Sequence, residues 1–193
     1  MSGMRKGRLF VIAGPSGAGK GTLRTMALSG IEDLVYSVSC TTRQPREGER
    51  DGVDYHFVTE RDFEDKVAGG LFLEHAVVHG CCYGTLLESV ERETDTGKDV
   101  LLEIDVQGAR QIREILPESV LIFIAPPSLD ALEKRLRRRK TESEDKIALR
   151  LENAKKEMAL SSEYDRIIVN DNLEQACEEL RDLILSSRKV EKA

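Results

Sequence analysis

The stretch FVIAGPSGAGKGT, Phe10–Thr22, limits the fold of this chain more than any other segment. Apolar residues from Phe10 to Ala13 read as a buried strand, and Lys20 to Ala27 as a helix. The loop between them, Gly14, Pro15, Ser16, Gly17, Ala18 and Gly19, carries almost no side-chain bulk. Strand, bare loop and helix in that order let several backbone N–H groups converge on one point, where the helix N-terminus adds its positive dipole end. The spacing Gly14-x-x-x-x-Gly19-Lys20 is the phosphate-loop fingerprint, with the lysine reaching the β- and γ-phosphates of a nucleoside triphosphate. A bound nucleoside triphosphate is therefore expected at Gly14–Thr22.

The residue after the lysine is usually a hydroxyl that ligates magnesium. Here it is Gly21, and Thr22 comes one place later. The same Gly-Lys-Gly-Thr ending is found in adenylate-kinase-like enzymes. No direct metal ligand is assigned, and Mg2+ is expected to arrive with the triphosphate, held by phosphates and water.

Downstream, short apolar runs alternate with helical patterns. Strands are predicted over Arg8–Ala13, Val35–Cys40, Asp99–Asp105, Ser119–Ala125 and Arg166–Asn170. Helices are predicted over Gln107–Leu116, from Ser128, from Ser143 and over Leu173–Leu185. Such alternation implies a parallel sheet covered by helices on both faces. Three shorter strands, Tyr55–Val58, Leu71–Val78 and Cys81–Tyr83, interrupt it. With a helix opening at Thr59 and a capping-box-like Asp62, they suggest a small inserted subdomain.

At 193 residues the chain has room for one domain with such an insertion. No apolar run approaches a membrane span, and the basic N-terminus is followed by too short an apolar run for a signal peptide. The 4 cysteines, Cys40, Cys81, Cys82 and Cys177, lack a disulfide or C-x-x-C pattern, which points to a reducing cytoplasm. His75, His79, Cys81 and Cys82 crowd together, but strand spacing scatters them over both faces, so a metal centre is not expected. A net charge of −6 argues against general nucleic-acid binding. Ala131–Lys156 stands out, with 10 Lys/Arg against 5 Asp/Glu. It reads either as a solvated helix face or as a cationic cover over an anion.

A second anion site lies in SVSCTTRQPREGERDGVDYHF, Ser37–Phe57, where Ser39, Arg43, Arg46 and Tyr55 cluster in and beside one loop. Arginine forks suit phosphate oxygens. No N-K-x-D motif of the GTPase kind is present. Together with GPSGAGKGT, FLEHAVVHGCCYGT, LLEIDVQGARQI and EYDRIIVND, this segment resembles the guanylate kinase family, in the family's order, from about Phe10 to Leu183.

The resemblance implies a phosphate-loop α/β core (8–38, 92–134 and 157–190), a GMP-binding subdomain (about 39–91) and a helical lid (about 135–156). It implies in-line phosphoryl transfer from ATP to GMP, and to dGMP, in purine nucleotide metabolism. Ser39, Arg43, Arg46, Tyr55 and Tyr83 would hold the GMP phosphate, and Glu74, Thr85 and Asp105 would read guanine. Lys20 and Arg43 would act in catalysis with Arg135, Arg139 and Arg150, which close over ATP. Asn170 and Asp171 would lie near adenine. Glu103 reads equally as a carboxylate near the magnesium or as a plain strand-end acid. The family often has glycine on both sides of the arginine matched by Arg139, whereas this chain has Arg138 and Lys140. Two other readings compete with this one: a kinase for a phosphorylated ribose, which has no use for a guanine-reading set, and a phosphopeptide-binding scaffold domain, which usually lacks a working phosphate loop.

Overall fold

Strands and helices follow in the order β1 (Leu9–Ala13), α1 (Lys20–Leu28), β2 (Leu34–Tyr36), β3 (Cys40–Thr41), β4 (His56–Phe57), α2 (Glu60–Ala68), β5 (Phe72–Val78) and β6 (Cys81–Leu86). They continue with α3 (Leu87–Asp95), β7 (Asp99–Glu103), α4 (Val106–Ile115), β8 (Val120–Ala125), α5 (Leu129–Arg138), α6 (Glu144–Ala159), β9 (Arg166–Val169) and α7 (Leu173–Ser187). The computed structural model describes residues 6–78, 80–138 and 143–188. Arg139, Lys140 and His79 lie outside the described residues. The architecture is α/β, with parallel strands flanked by helices.

By contact the chain divides into two units. The first runs through Phe10 and over Asp33–Val120, and the second comprises Val11–Glu32 and the chain from Leu121 onward.

In the first unit the strand order is β2-β7-β1, and β2 pairs with β7 in parallel, Leu34 opposite Asp99. Val100, Leu101 and Leu102 of β7 are fully buried, as expected of a strand covered on both faces. Each such side chain contributes roughly 1.5–3 kcal/mol relative to exposure. Asp99 is equally buried and is satisfied by the Arg8 backbone N–H, at 2.8 Å from Oδ1. The same unit holds a four-stranded sheet in the order β4-β3-β6-β5. β3 and β4 run parallel, and β6 is antiparallel to both β3 and β5. Helix α2 starts where Thr59 caps it, accepting from Asp62 N at 3.1 Å, and lays Phe63 on Phe72 with ring centroids 4.6 Å apart.

In the second unit the order is β1-β8-β9, with β8 and β9 parallel and Ile122 opposite Arg166. Helix α1 packs on α7; Leu23 and Ala27 are buried in the first, and Leu180 and Ile184 are among the buried residues of the second. Helices α5 and α6 share a small core of Leu132, Leu136, Ile147 and Ala154.

Three sequence expectations change. The strand predicted over Val35–Cys40 is two strands in two sheets: Ser37 N still donates to Leu101 O at 3.3 Å, while Ser39 O accepts from His56 N at 2.9 Å. The alternating pattern fits either sheet, so periodicity could not mark the switch. The strand from Asp99 ends at Glu103, because Asp105 turns to cap α4. Helix α3 was not predicted; its N-cap is Leu86, with no side-chain cap to announce it.

Candidate active site

The residues singled out in the sequence fall into two sets, and each set lies whole within one unit. In the second unit the phosphate loop joins β1 to α1. Gly19 sits at φ 97°, the left-handed region, and a Cβ there would also overlap the Asn170 side-chain amide, so glycine is required twice over. Because Gly19 caps α1 with no side chain and the first turn carries no acid, nothing on the helix itself competes with an anion for its leading N–H groups. Lys20 Nζ donates to Gly14 O at 2.6 Å and to Pro15 O at 3.2 Å, strapping the loop it belongs to.

Three further residues converge on the loop. Asn170, 4% exposed, donates from Nδ2 to Ala18 O at 2.8 Å. Arg135 donates to Asn170 O at 2.7 Å and to Ala18 O at 3.4 Å. Arg150 donates to Ser16 Oγ at 2.9 Å. A cleft of about 320 Å3 opens among Gly19, Thr22, Arg135, Arg138, Asn170 and Asp171. Three partly exposed or exposed cationic groups around a glycine loop suit a polyphosphate. A larger groove of about 520 Å3 runs along α7, but Glu178, Glu179 and Asp182 line it and would repel phosphate.

In the first unit the Ser39–Tyr55 segment folds around Arg43. Its guanidinium donates to Glu49 Oε1 at 2.9 Å and to Gln44 O at 2.7 Å, and stands 5.3 Å from the Tyr55 ring centroid. Tyr83 packs edge-on against Tyr55 at 5.9 Å. Burial works against the Arg43 charge, but bonds to Glu49 and Tyr83 outweigh it and raise its pKa above the ordinary value. Burial likewise acts on Glu49, yet Arg43 and the Arg46 backbone N–H hold its carboxyl below the usual range. Arg46 itself is exposed and Ser39 buried.

The four-stranded sheet sets Glu74 opposite Thr85 across β5 and β6. Glu74 is 3% exposed, and Thr85 Oγ1 donates to its Oε1 at 2.6 Å. Burial pushes the Glu74 carboxyl up to about 7, and nearby Asp105 adds to the rise, while the Thr85 bond resists it. Asp105 accepts from Gly108 N at 2.9 Å and from Gln107 Nε2 at 3.0 Å, so it serves α4 while standing beside Glu74.

A family model described as guanylate kinase matches residues 6–187. The chain belongs to the guanylate kinase family. Guanylate kinase from Syntrophotalea carbinolica is 49% identical over 182 residues, 94% of this chain and 87% of that one. Guanylate kinase from Thermotoga maritima is 49% identical over 183 residues, 95% of this chain and 88% of the relative. The crystal structure of guanylate kinase from Anaplasma phagocytophilum matches with a TM-score of 0.81 at 32% identity, covering 96% of this chain and 88% of that chain.

Sequence reading missed Glu49, which ties Arg43 to the Arg46 backbone. The available signal was an acid inside an arginine-rich loop. It also gave no role to Arg138, which borders the cleft beside the phosphate loop. Among the described residues no group of three or more His, Cys, Asp or Glu could hold a metal ion, and the 4 cysteines are free thiols. No helix among them is long and apolar enough to cross a membrane.

Proposed function

We infer that this chain transfers the γ-phosphoryl group of ATP to GMP, giving ADP and GDP. The observation that carries this reading is the Glu74–Thr85 pair, a buried carboxylate with a hydroxyl beside it. Guanine presents N1–H and N2–H side by side, which one carboxylate accepts together, and its O6 can take the Thr85 proton once that hydroxyl turns away from Glu74. Adenine sets a lone pair at N1 against the same carboxylate. A site built on such bonds rejects the unmatched base strongly, because its own polar groups are left unpaired.

Ser39, Arg43, Arg46, Tyr55 and Tyr83 hold the GMP phosphate in this reading, and Glu74, Thr85 and Asp105 hold the base. Lys20 and the loop amides hold the β- and γ-phosphates of ATP. Arg135, Arg150 and, by the family resemblance, Arg139 neutralise charge on the transferring group. Asn170 acts on ATP through the loop it ties down, and Asp171 from its exposed place beside the cleft. Residues 39–91 serve as the GMP-binding subdomain and residues 135–156 as a lid that excludes water. Catalysis then rests on alignment and charge stabilisation, with no covalent enzyme intermediate.

The donor side fits magnesium brought in as the ATP complex. No protein cage exists among the described residues, and Thr22 lines the cleft one residue beyond Gly21. When bound, the ion offsets charge on the β- and γ-phosphates.

A coupled assay of ADP release with GMP, dGMP, IMP, AMP, CMP and UMP tests the reading. GMP should be preferred over AMP by ~10⁴-fold or more in kcat/KM. Equal turnover of AMP would sink it.

A further inference from the structure

The acceptor reading raises the question of what fixes the Glu74 carboxylate in place, and two residues of α4 answer it. β5 is an outer strand of its sheet, so backbone groups on its far side have no strand to pair with. At His75, next to Glu74, one side chain takes both of these groups. His75 N donates to Gln111 Oε1 at 3.1 Å, and Gln111 Nε2 donates to His75 O at 2.8 Å. The amide thus imitates one residue of a further strand.

One helical turn earlier stands Gly108. A Cβ there would overlap Oε2 of Glu74 and crowd its Cδ. Gly108 lies inside α4, in ordinary helical geometry, so the space and not the backbone demands glycine. The β5–β6 register also shifts between Phe72 and Glu74. Where a ladder is irregular, strand pairing alone does not aim a side chain, and contacts from outside the sheet must.

We propose that Gln111 and Gly108 are positioning residues for guanine selection. The Gln111 amide fixes β5 at His75, and the missing side chain of Gly108 forms the recess that holds the Glu74 carboxylate. This rests on Glu74 as the guanine reader. Neither residue touches the nucleotide; both act through Glu74.

The test compares the full chain with Gly108→Ala, Gln111→Met, Gln111→Glu and Glu74→Gln. For each, kcat and KM are measured for GMP and for IMP, which lacks the 2-amino group, with KM for ATP and a thermal melt. Gly108→Ala should cut the GMP:IMP ratio of kcat/KM at least ~10-fold, mostly through KM for GMP, because a shifted carboxylate forfeits a charged hydrogen bond. Gln111→Met, which keeps length but loses both bonds, should cut it ~3–10-fold, and Gln111→Glu, which aims an acceptor at the His75 carbonyl, at least as much. KM for ATP should hold in all of them. If Glu74→Gln keeps the wild-type ratio, the acceptor-site reading itself fails, and this proposal with it. If Glu74→Gln loses the ratio while folded Gln111→Met and Gly108→Ala keep it, the positioning proposal alone is overturned. A melt lowered with no change in ratio has the same meaning. Should Gly108→Ala not fold, the two Gln111 variants decide.

Discussion

Asn170 Nδ2 donates to the Ala18 carbonyl oxygen at 2.8 Å, joining the residue after β9 to a phosphate loop 152 positions earlier in the chain. Arg135 reaches both ends of that link, through Asn170 O and Ala18 O. The curvature of the loop is therefore held from outside by a buried amide as well as by its own glycines.

Asn170→Ala should raise KM for ATP by about tenfold, the equivalent of roughly 1.4 kcal/mol for a lost buried hydrogen bond. Calorimetric binding of GMP should not change. Asn170→Asp should do worse, since a carboxylate would face both the Ala18 carbonyl and incoming phosphates. An unchanged KM for ATP in both variants would remove Asn170 from the support of the loop.

Lys20→Ala should lower kcat by ~10²–10³-fold, the scale on which single charge-stabilising groups act. GMP affinity should stay near wild type, since every proposed acceptor contact lies elsewhere in the sequence. Titration of GMP alongside steady-state kinetics separates the two effects. Near-normal kcat in the variant would end the assignment of this loop to the donor phosphates.

Glu74 makes the enzyme sensitive to pH near neutrality. Its folded pKa, about 7, lies above the ordinary value of 4.5. Between those values the folded chain keeps a proton that the unfolded chain has lost, so stability falls as pH rises from about 4.5 to about 7 and is level above. The penalty at pH 8 is on the order of 3 kcal/mol, from about 1.4 kcal/mol per unit. Glu74→Gln, which can keep the Thr85 bond, should melt higher than wild type at pH 8, with the gain shrinking towards pH 5. If Glu74 reads guanine as proposed, binding needs its ionised form, so GMP affinity relative to Glu74→Gln should weaken as pH drops below 7, approaching tenfold per unit. Parallel pH profiles of binding for the two proteins would refute the assignment.

The Arg43–Glu49 pair has its side chains only 15% and 19% exposed, and Glu49 also accepts from Arg46 N at 2.8 Å. Glu49→Ala should release both arginines from one fixed arrangement and raise KM for GMP by about tenfold, on the scale of a lost charged hydrogen bond. KM for ATP should hold. If KM for GMP falls instead, Glu49 competes with the substrate phosphate and does not orient its clamp.

Much of this could be read from the residues. The order Gly14-x-x-x-x-Gly19-Lys20 between an apolar run and a helix specifies its own conformation locally, and β1, the loop and α1 lie where the sequence predicts. The alternation of buried strands with helices gave the α/β class for the same reason. What stayed hidden depends on distant partners. Nothing near Gly108 in sequence says that its absent side chain leaves room for Glu74, and nothing near Gln111 says that its amide ends on His75. The division of Val35–Cys40 between two sheets was equally invisible, since both sheets accept the same alternation. The roles of the arginines rest on family resemblance, while their hydrogen bonds to Ser16, Ala18 and Asn170 join residues too far apart in the chain for local sequence to announce.

The two units are interleaved along the chain, and this sets an order for synthesis. All segments of the first unit have emerged once Val120 has cleared the ribosome's exit tunnel, so that unit can close early. The second begins with Val11–Glu32, yet helix α7, on which α1 packs, is translated well after Val120. Helix α1 therefore lacks its α7 partner while the first unit folds. A chain stalled where Val120 has left the ribosome and α7 has not should resist protease over Asp33–Val120 and be cut within α1. Ribosome-bound truncations would show this, and a protected α1 at that length would contradict it. A glycine loop with little apolar side-chain surface is well suited to such a delay.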